Sequence, residues 1–231
     1  MASAALAGST GLVGGHILTQ LLEHPSISAV HAYTRRELPN PTSSTKLHPL
    51  SSTDTATWAS LFPRSPAPSV FFSGLGTTRA AAGSLENQRK IDYDLNLELA
   101  KTAKEAGVDT YVLISSASAN GQSSMGYVKM KGELEDRVKE LKFKHTVIVR
   151  PGLIVGERTE SRFAEAVARS IAVGLGKLNA GLKDAWAQDA DVIARAAVVA
   201  GLQCAEGKRE EDGVWMLGQG DIISLGKAIK E

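Results

Sequence analysis

The stretch Ser3-Ala4-Ala5-Leu6-Ala7-Gly8-Ser9-Thr10-Gly11-Leu12-Val13-Gly14 decides the fold. Small apolar residues over Ser3–Ala7 read as a buried strand. Three glycines at a spacing of three follow, and Gly11–Leu22 then reads as an amphipathic helix, with Leu12, Ile17, Leu18, Leu21 and Leu22 on its apolar side. In a strand–turn–helix of this kind, Gly8 permits the tight turn and Gly11 lets the backbone approach a pyrophosphate. Gly14 lets helix and strand pack closely. Free N–H groups at the helix start, aided by the macrodipole, then hold phosphate oxygens. The turn therefore predicts a dinucleotide site.

Working outward, short apolar runs alternate with helical patterns, the βαβ signature of a parallel sheet covered on both faces. Strands are expected at Ala29–Thr34, Lys46–Leu50, Ser69–Ser73, Thr110–Ser115 and Thr146–Val149, and helices at Gln88–Ala106 and Tyr127–Leu141. After Gly156 the alternation stops. Ser161–Leu178 and Ala190–Leu202 read as helices and Val214–Leu217 as a last strand. The expectation is an α/β Rossmann domain, doubly wound, spanning 1–231, with 157–231 contributing a small C-terminal substrate cap.

The bulk numbers suit this. The chain has 231 residues with 26 basic and 25 acidic side chains, a formal net charge of +1. That balance gives no reason to expect a nucleic-acid partner. The single cysteine, Cys204, excludes an internal disulfide and reads as a small buried hydrophobe. No stretch is apolar enough to span a membrane. Gly8 interrupts the N-terminal apolar run, which argues against a secretory leader. No run rich in Arg and Ser precedes it, so an organelle address is expected to be internal, or the location cytoplasmic. The five histidines are scattered, with no pair at ligand spacing, and no metal site is expected.

Two further groups carry chemistry. The second strand ends in Thr34-Arg35-Arg36, where NAD-selective domains place a carboxylate on the ribose hydroxyls. Two guanidiniums suit a 2′-phosphate, so NADPH is favoured over NADH. After the fifth strand come Ser115-Ser116-Ala117 and then Tyr127-Val128-Lys129-Met130-Lys131. Tyr127 and Lys131 stand four apart and share a helix face. A nearby ammonium lowers a tyrosine pKa and eases proton transfer to a carbonyl, and the Ser116 hydroxyl can polarise the same oxygen.

These residues together resemble the short-chain dehydrogenase/reductase superfamily in its extended or atypical branch. The blocks Phe72–Arg79, Ile91-Asp92-Tyr93, Lys129–Glu133, Arg150-Pro151-Gly152 and Glu160-Ser161-Arg162 resemble one small fungal family within it, the "found in mitochondrial proteome" NAD(P)-binding proteins. Their animal relative is the Tat-interacting oxidoreductase. The resemblance implies NADPH held at Thr10, Gly11, Leu12 and Val13, with Arg35 and Arg36 on the 2′-phosphate and Leu75 and Gly76 on the adenosine side. It places Ile154 and Arg162 near the nicotinamide and phosphates, makes Tyr127 the proton donor, and implies the cytosolic face of the mitochondrial outer membrane. Asp92 departs from the pattern, because many extended reductases carry Asn there. The functional expectation is an NADPH-dependent reductase of a small carbonyl substrate, with Ser116, Tyr127 and Lys131 catalytic. The alternatives that stay open are an NADPH-binding regulatory module that docks to other proteins, and peripheral membrane contact through Phe163, Val167, Ile171, Leu175 and Leu178. Monomer and homodimer both stay open.

Overall fold

A computed structural model describes residues 1–38, 40, 43–155 and 187–227. Seven parallel strands form the main sheet in the order β3-β2-β1-β4-β5-β6-β9: β1 (Ala2–Ala7), β2 (Ile27–Thr34), β3 (Leu47–Ser51), β4 (Val70–Ser73), β5 (Thr110–Ile114), β6 (His145–Val149) and β9 (Gly213–Leu217). A separate parallel pair joins β7 (Leu153–Val155) to β8 (Ala187–Asp189). The helices are α1 (Leu12–Glu23), α2 (Arg79–Ala82), α3 (Leu85–Arg89), α4 (Asn96–Glu105), α5 (Gly126–Glu140), α6 (Ala190–Ala205) and α7 (Gln219–Lys227).

Alternation along each strand feeds two cores. Ala4, Leu6, Val70, Phe72, Val112 and Val147 face α1 and α6. Ala5, Ala7, Phe71, Tyr111 and Leu113 face α4, α5 and the short 3-10 helix Thr55–Leu61. This is the doubly wound α/β arrangement that the sequence predicts. Within 157–231, α6 covers the sheet and β9 joins it as the strand beside β6, while α7 caps the outer side of α6 with Gly226 against Val192. The helix expected over Ser161–Leu178 lies outside the described residues. Cys204 is buried, and burial pushes its thiol up to about 11.

Two local features differ from expectation. The helix anticipated over Gln88–Ala106 begins earlier, at Leu85, and is interrupted by a π-helical segment, Lys90–Leu95. Its end is as predicted. Gly107 takes φ +92°, with Val108 N–H donating to the Ala103 carbonyl, a left-handed helix stop. The 3-10 helix over Thr55–Leu61 had no clear apolar period to announce it. Tyr33 secures it by stacking on Trp58 at 5.0 Å and donating its hydroxyl to the Trp58 carbonyl at 2.9 Å.

Candidate active site

The site begins at the switch in strand order. β1 has β2 on one side and β4 on the other, so the loops leaving β1 and β4 part around a crevice at their carboxyl ends. Ala7 and Ser73, the last residues of those strands, stand side by side. Gly8 follows with φ +84°, and a Cβ on it would lie 2.5 Å from the Gly74 carbonyl. A Cβ on Gly14 would lie 2.0 Å from the Gly8 oxygen. Glycine is thus required at both by close backbone approach.

The Ser9 hydroxyl donates to the Tyr33 carbonyl at 2.7 Å and ties the turn to the end of β2. Gly11, at the N-cap of α1, makes no side-chain cap. The amides that open this 12-residue helix therefore face outward, with no capping side chain over them. A backbone cradle that a Cβ would fill, under an uncapped helix start, fits a dinucleotide pyrophosphate. Thr10 and Gly11 are exposed there, while the Val13 side chain turns into the core, so Val13 offers its amide. Leu12 is half-buried.

Thr34 closes β2, and its hydroxyl accepts from Arg36 N–H at 3.1 Å and donates back to the Arg36 carbonyl. This small ring turns Arg35 and Arg36 out to solvent.

The segment Gly74-Leu75-Gly76 joins the glycine turn to the second half of the site. Gly74 packs on Gly14. The Leu75 side chain is buried in the α4–α5 core. A Cβ on Gly76 would lie 3.8 Å from Asp92 Oδ2 and 4.0 Å from Lys131 Nζ. Gly76, which the resemblance places on the adenosine side, therefore lies against the charged pair Asp92–Lys131. Lys131 and Asp92 are both buried, 3.9 Å apart. Asp92 Oδ1 also accepts the Thr77 amide at 2.7 Å, and the Thr77 carbonyl accepts from Gln88 at 2.9 Å. Burial raises the Asp92 pKa against the pull of Lys131, and burial lowers that of Lys131 against the pull of Asp92 and Glu135.

Tyr127 stands one turn before Lys131 at the start of α5. It lines a cleft of about 390 Å³ together with Thr77, Thr78, Arg79, Leu85, Gln88 and Gly126. The sequence leads one to expect Lys131 to lower the Tyr127 pKa. In the structure the phenol is pushed up to about 12, first by burial and second by the Asp92 carboxylate. The ring keeps 41 % of its surface in solvent, which tempers the first cause and leaves the second standing. Asp92 takes up the Lys131 charge, so the ammonium is not free to favour a phenolate.

Ser116 is half-buried, its hydroxyl 3.1 Å from that of Ser118. Its neighbour Ser115 has a structural partner instead, donating to Glu135 at 2.5 Å. Ile154 lies in β7 against the α1–α6 core. Arg162 lies outside the described residues. Sequence reasoning missed Gln88 and Asn96. Asn96 Oδ1 accepts from Ser73 at 2.6 Å and from Tyr111 at 3.3 Å, and its amide reaches the Leu75 carbonyl at 3.5 Å. The available signal was a polar stripe, Gln88, Asp92 and Asn96, recurring every four residues along one buried helix face.

The strand order, the glycine cradle and the uncapped helix start define a protein of the Rossmann fold class. A family model described as HIM1 matches residues 45–175. "Protein fmp52-1, mitochondrial" of Aspergillus terreus is 56% identical over 232 residues, covering 98% of this chain and all of the relative. "Protein fmp-52, mitochondrial" of Neurospora crassa is 47% identical, covering 97% of this chain and 95% of its own. The chain belongs to this fungal FMP52 family. Among solved structures it is similar to MoeE5 in complex with UDP-glucose and NAD, with TM-score 0.66 and 17% identity over 99% of this chain and 82% of the other. It is also similar to a short-chain dehydrogenase/reductase from Saccharomyces cerevisiae, with TM-score 0.64 and 15% identity over 88% and 91%. At such identities the likeness is one of fold.

Proposed function

We propose that the protein is an NADPH-dependent reductase of a small carbonyl compound, with Tyr127 as proton donor. One observation carries this reading: Gly74–Gly76 joins the phosphate cradle to the Lys131–Asp92 pair beneath an open cleft that Tyr127 lines. NADPH bound in the cradle supplies hydride. Tyr127 holds the proton for the carbonyl oxygen, and its raised pKa keeps that proton in place at neutral pH. Lys131 positions the cofactor ribose and Ser116 orients the carbonyl. Arg35 and Arg36 at the end of β2 take the 2′-phosphate, a contact that no carboxylate opposes at Thr34.

The test is NADPH oxidation against a panel of aldehydes and ketones. Tyr127→Phe lowers kcat/KM by about a hundredfold or more and leaves NADPH affinity unchanged. Turnover that survives the substitution removes Tyr127 from its role. Replacing both Arg35 and Arg36 by Ser weakens NADPH about tenfold and NADH hardly at all, read by fluorescence titration. Equal losses for the two cofactors count against a 2′-phosphate contact.

The pairing of Lys131 with Asp92 favours a second reading, an NADPH-holding regulatory module with little turnover. Tight NADPH binding without turnover on any carbonyl, together with a recoverable protein partner, supports it. The names of the relatives support a mitochondrial location, which we place at the cytosolic face of the outer membrane. Among the described residues no helix is long and apolar enough to cross a membrane. Protease treatment of intact mitochondria degrades the protein if this placement holds and spares it if the protein lies inside.

A further inference from the structure

The block Phe72–Arg79 is only partly used by the cofactor cradle. Its last residue, Arg79, is exposed and carries a positive charge into the wall of the cleft that Tyr127 lines. No hydrogen bond or ion pair ties its guanidinium among the described residues. The loop that carries it is held firmly. Thr77 is bonded through its amide to Asp92 and through its carbonyl to Gln88, both nearly fully buried. The Thr78 hydroxyl accepts from Ala81 N–H at 3.1 Å and caps α2, whose first residue is Arg79. Because Asp92 also faces Lys131, one turn from Tyr127, the cation and the phenol are set on a common frame.

The remaining wall is polar at Thr77, Thr78 and Gln88 and apolar at Leu85 and Gly126. Leu85 stays 39 % exposed and presses on Gly126, where a Cβ would lie 2.5 Å from its Cδ2. Met125, just before Gly126, is also largely exposed. An exposed cation on a held loop, a proton donor and a partly apolar wall in about 390 Å³ match a small ligand with an anionic end.

We propose that this cleft is the substrate subsite, with Arg79 as its anion-binding residue, and that the substrate is a carbonyl compound bearing a carboxylate and a compact apolar body. The proposal rests on the reductase reading. In the resulting pose the carboxylate pairs with Arg79 and is unchanged by the reaction. The carbonyl carbon gains the hydride, its oxygen gains the Tyr127 proton, and C=O becomes CH–OH. The two electrons come from NADPH, which leaves as NADP⁺, and Tyr127 regains a proton from solvent.

The experiment compares 4-formylbenzoate with its methyl ester, which share one carbonyl and one ring and differ in the charge. The wild-type protein and Arg79→Gln are assayed by NADPH oxidation, with NADPH affinity measured by fluorescence. Benzoate binding to the NADP⁺-loaded protein is measured by calorimetry. The expected result is a kcat/KM about tenfold higher for the carboxylate in the wild type, falling to parity in Arg79→Gln, with the loss in KM. NADPH affinity stays within about twofold, as for a residue that does not touch the cofactor.

A wild type that treats both probes alike overturns the proposal. So does an Arg79→Gln protein whose NADPH affinity falls about tenfold, because Arg79 then serves the cofactor phosphates. Arg79-dependent benzoate binding without turnover keeps the subsite and sinks the reductase reading. Turnover indifferent to Arg79 does the reverse. Absence of both turnover and benzoate binding overturns the two together.

Discussion

Two buried ion pairs sit one turn apart on α5 and are built differently. Glu135 is fully buried and saturated. It accepts from Ser115, takes Arg150 on both oxygens, and has Lys139 at 3.9 Å. Lys131 meets Asp92 only at 3.9 Å, beyond hydrogen-bond distance, and Gly76 leaves the space beside the pair open. The first pair joins α5 to the ends of β5 and β6, and both oxygens of its carboxylate already have partners. The second has spare hydrogen-bonding capacity at the seam between the glycine turn and Tyr127. Burial alone does not mark a charge as functional; incomplete satisfaction at the mouth of a crevice does.

The largest effect expected from breaking this contrast is on stability. Glu135→Gln leaves Arg150 without its carboxylate and the Ser115 hydroxyl without its charged acceptor. We expect a loss of about 3 kcal/mol in denaturant unfolding, at the low end of the range for a broken buried pair because Arg150 is a third exposed and can be hydrated. NADPH affinity of the folded protein should be unchanged. If Glu135→Gln instead spares stability and weakens NADPH, the two pairs do not divide the work as argued.

The same contrast explains what could be read from the sequence. The glycine turn, the strands of the parallel sheet and the ends of α1 and α4 were legible because each depends on local signals: small residues at fixed spacing, apolar alternation, and a glycine just past a helix. The Tyr127–Lys131 pair was legible as a spacing. Its electrostatics were not, because they depend on Asp92, which lies 39 positions from Lys131 and is brought there by the π-helical segment Lys90–Leu95. Ser115 and Ser116 look equivalent in sequence. Only the packing of Glu135 against β5 assigns one to structure and leaves the other half-buried beside Ser118. Arg79 was visible only as part of a family block, since its relation to Tyr127 depends on Thr77 being fastened to Asp92 and Gln88.

The smallest expected effect is also the most discriminating. Asp92→Asn removes the negative charge that helps hold the Tyr127 phenol up near 12 and leaves Lys131 as its nearest charge. The Tyr127 pKa therefore falls. Reduction uses the protonated phenol, which at neutral pH is the dominant form both before and after the change. The reduction rate at pH 7 should stay within about twofold. Alcohol oxidation uses the phenolate, which with a pKa near 12 is a fraction on the order of 10⁻⁴ at pH 8 in the wild type. The phenolate fraction at a given pH grows as that pKa falls, so the alkaline limb of oxidation by NADP⁺ should move to lower pH in Asp92→Asn. A parallel fall in both directions would show that Asp92 only supports the fold, as Glu135 does. A shift of that limb with the fold intact would show that the loose pair sets the pH at which Tyr127 gives up its proton, by keeping the phenol protonated where a free Lys131 would release it.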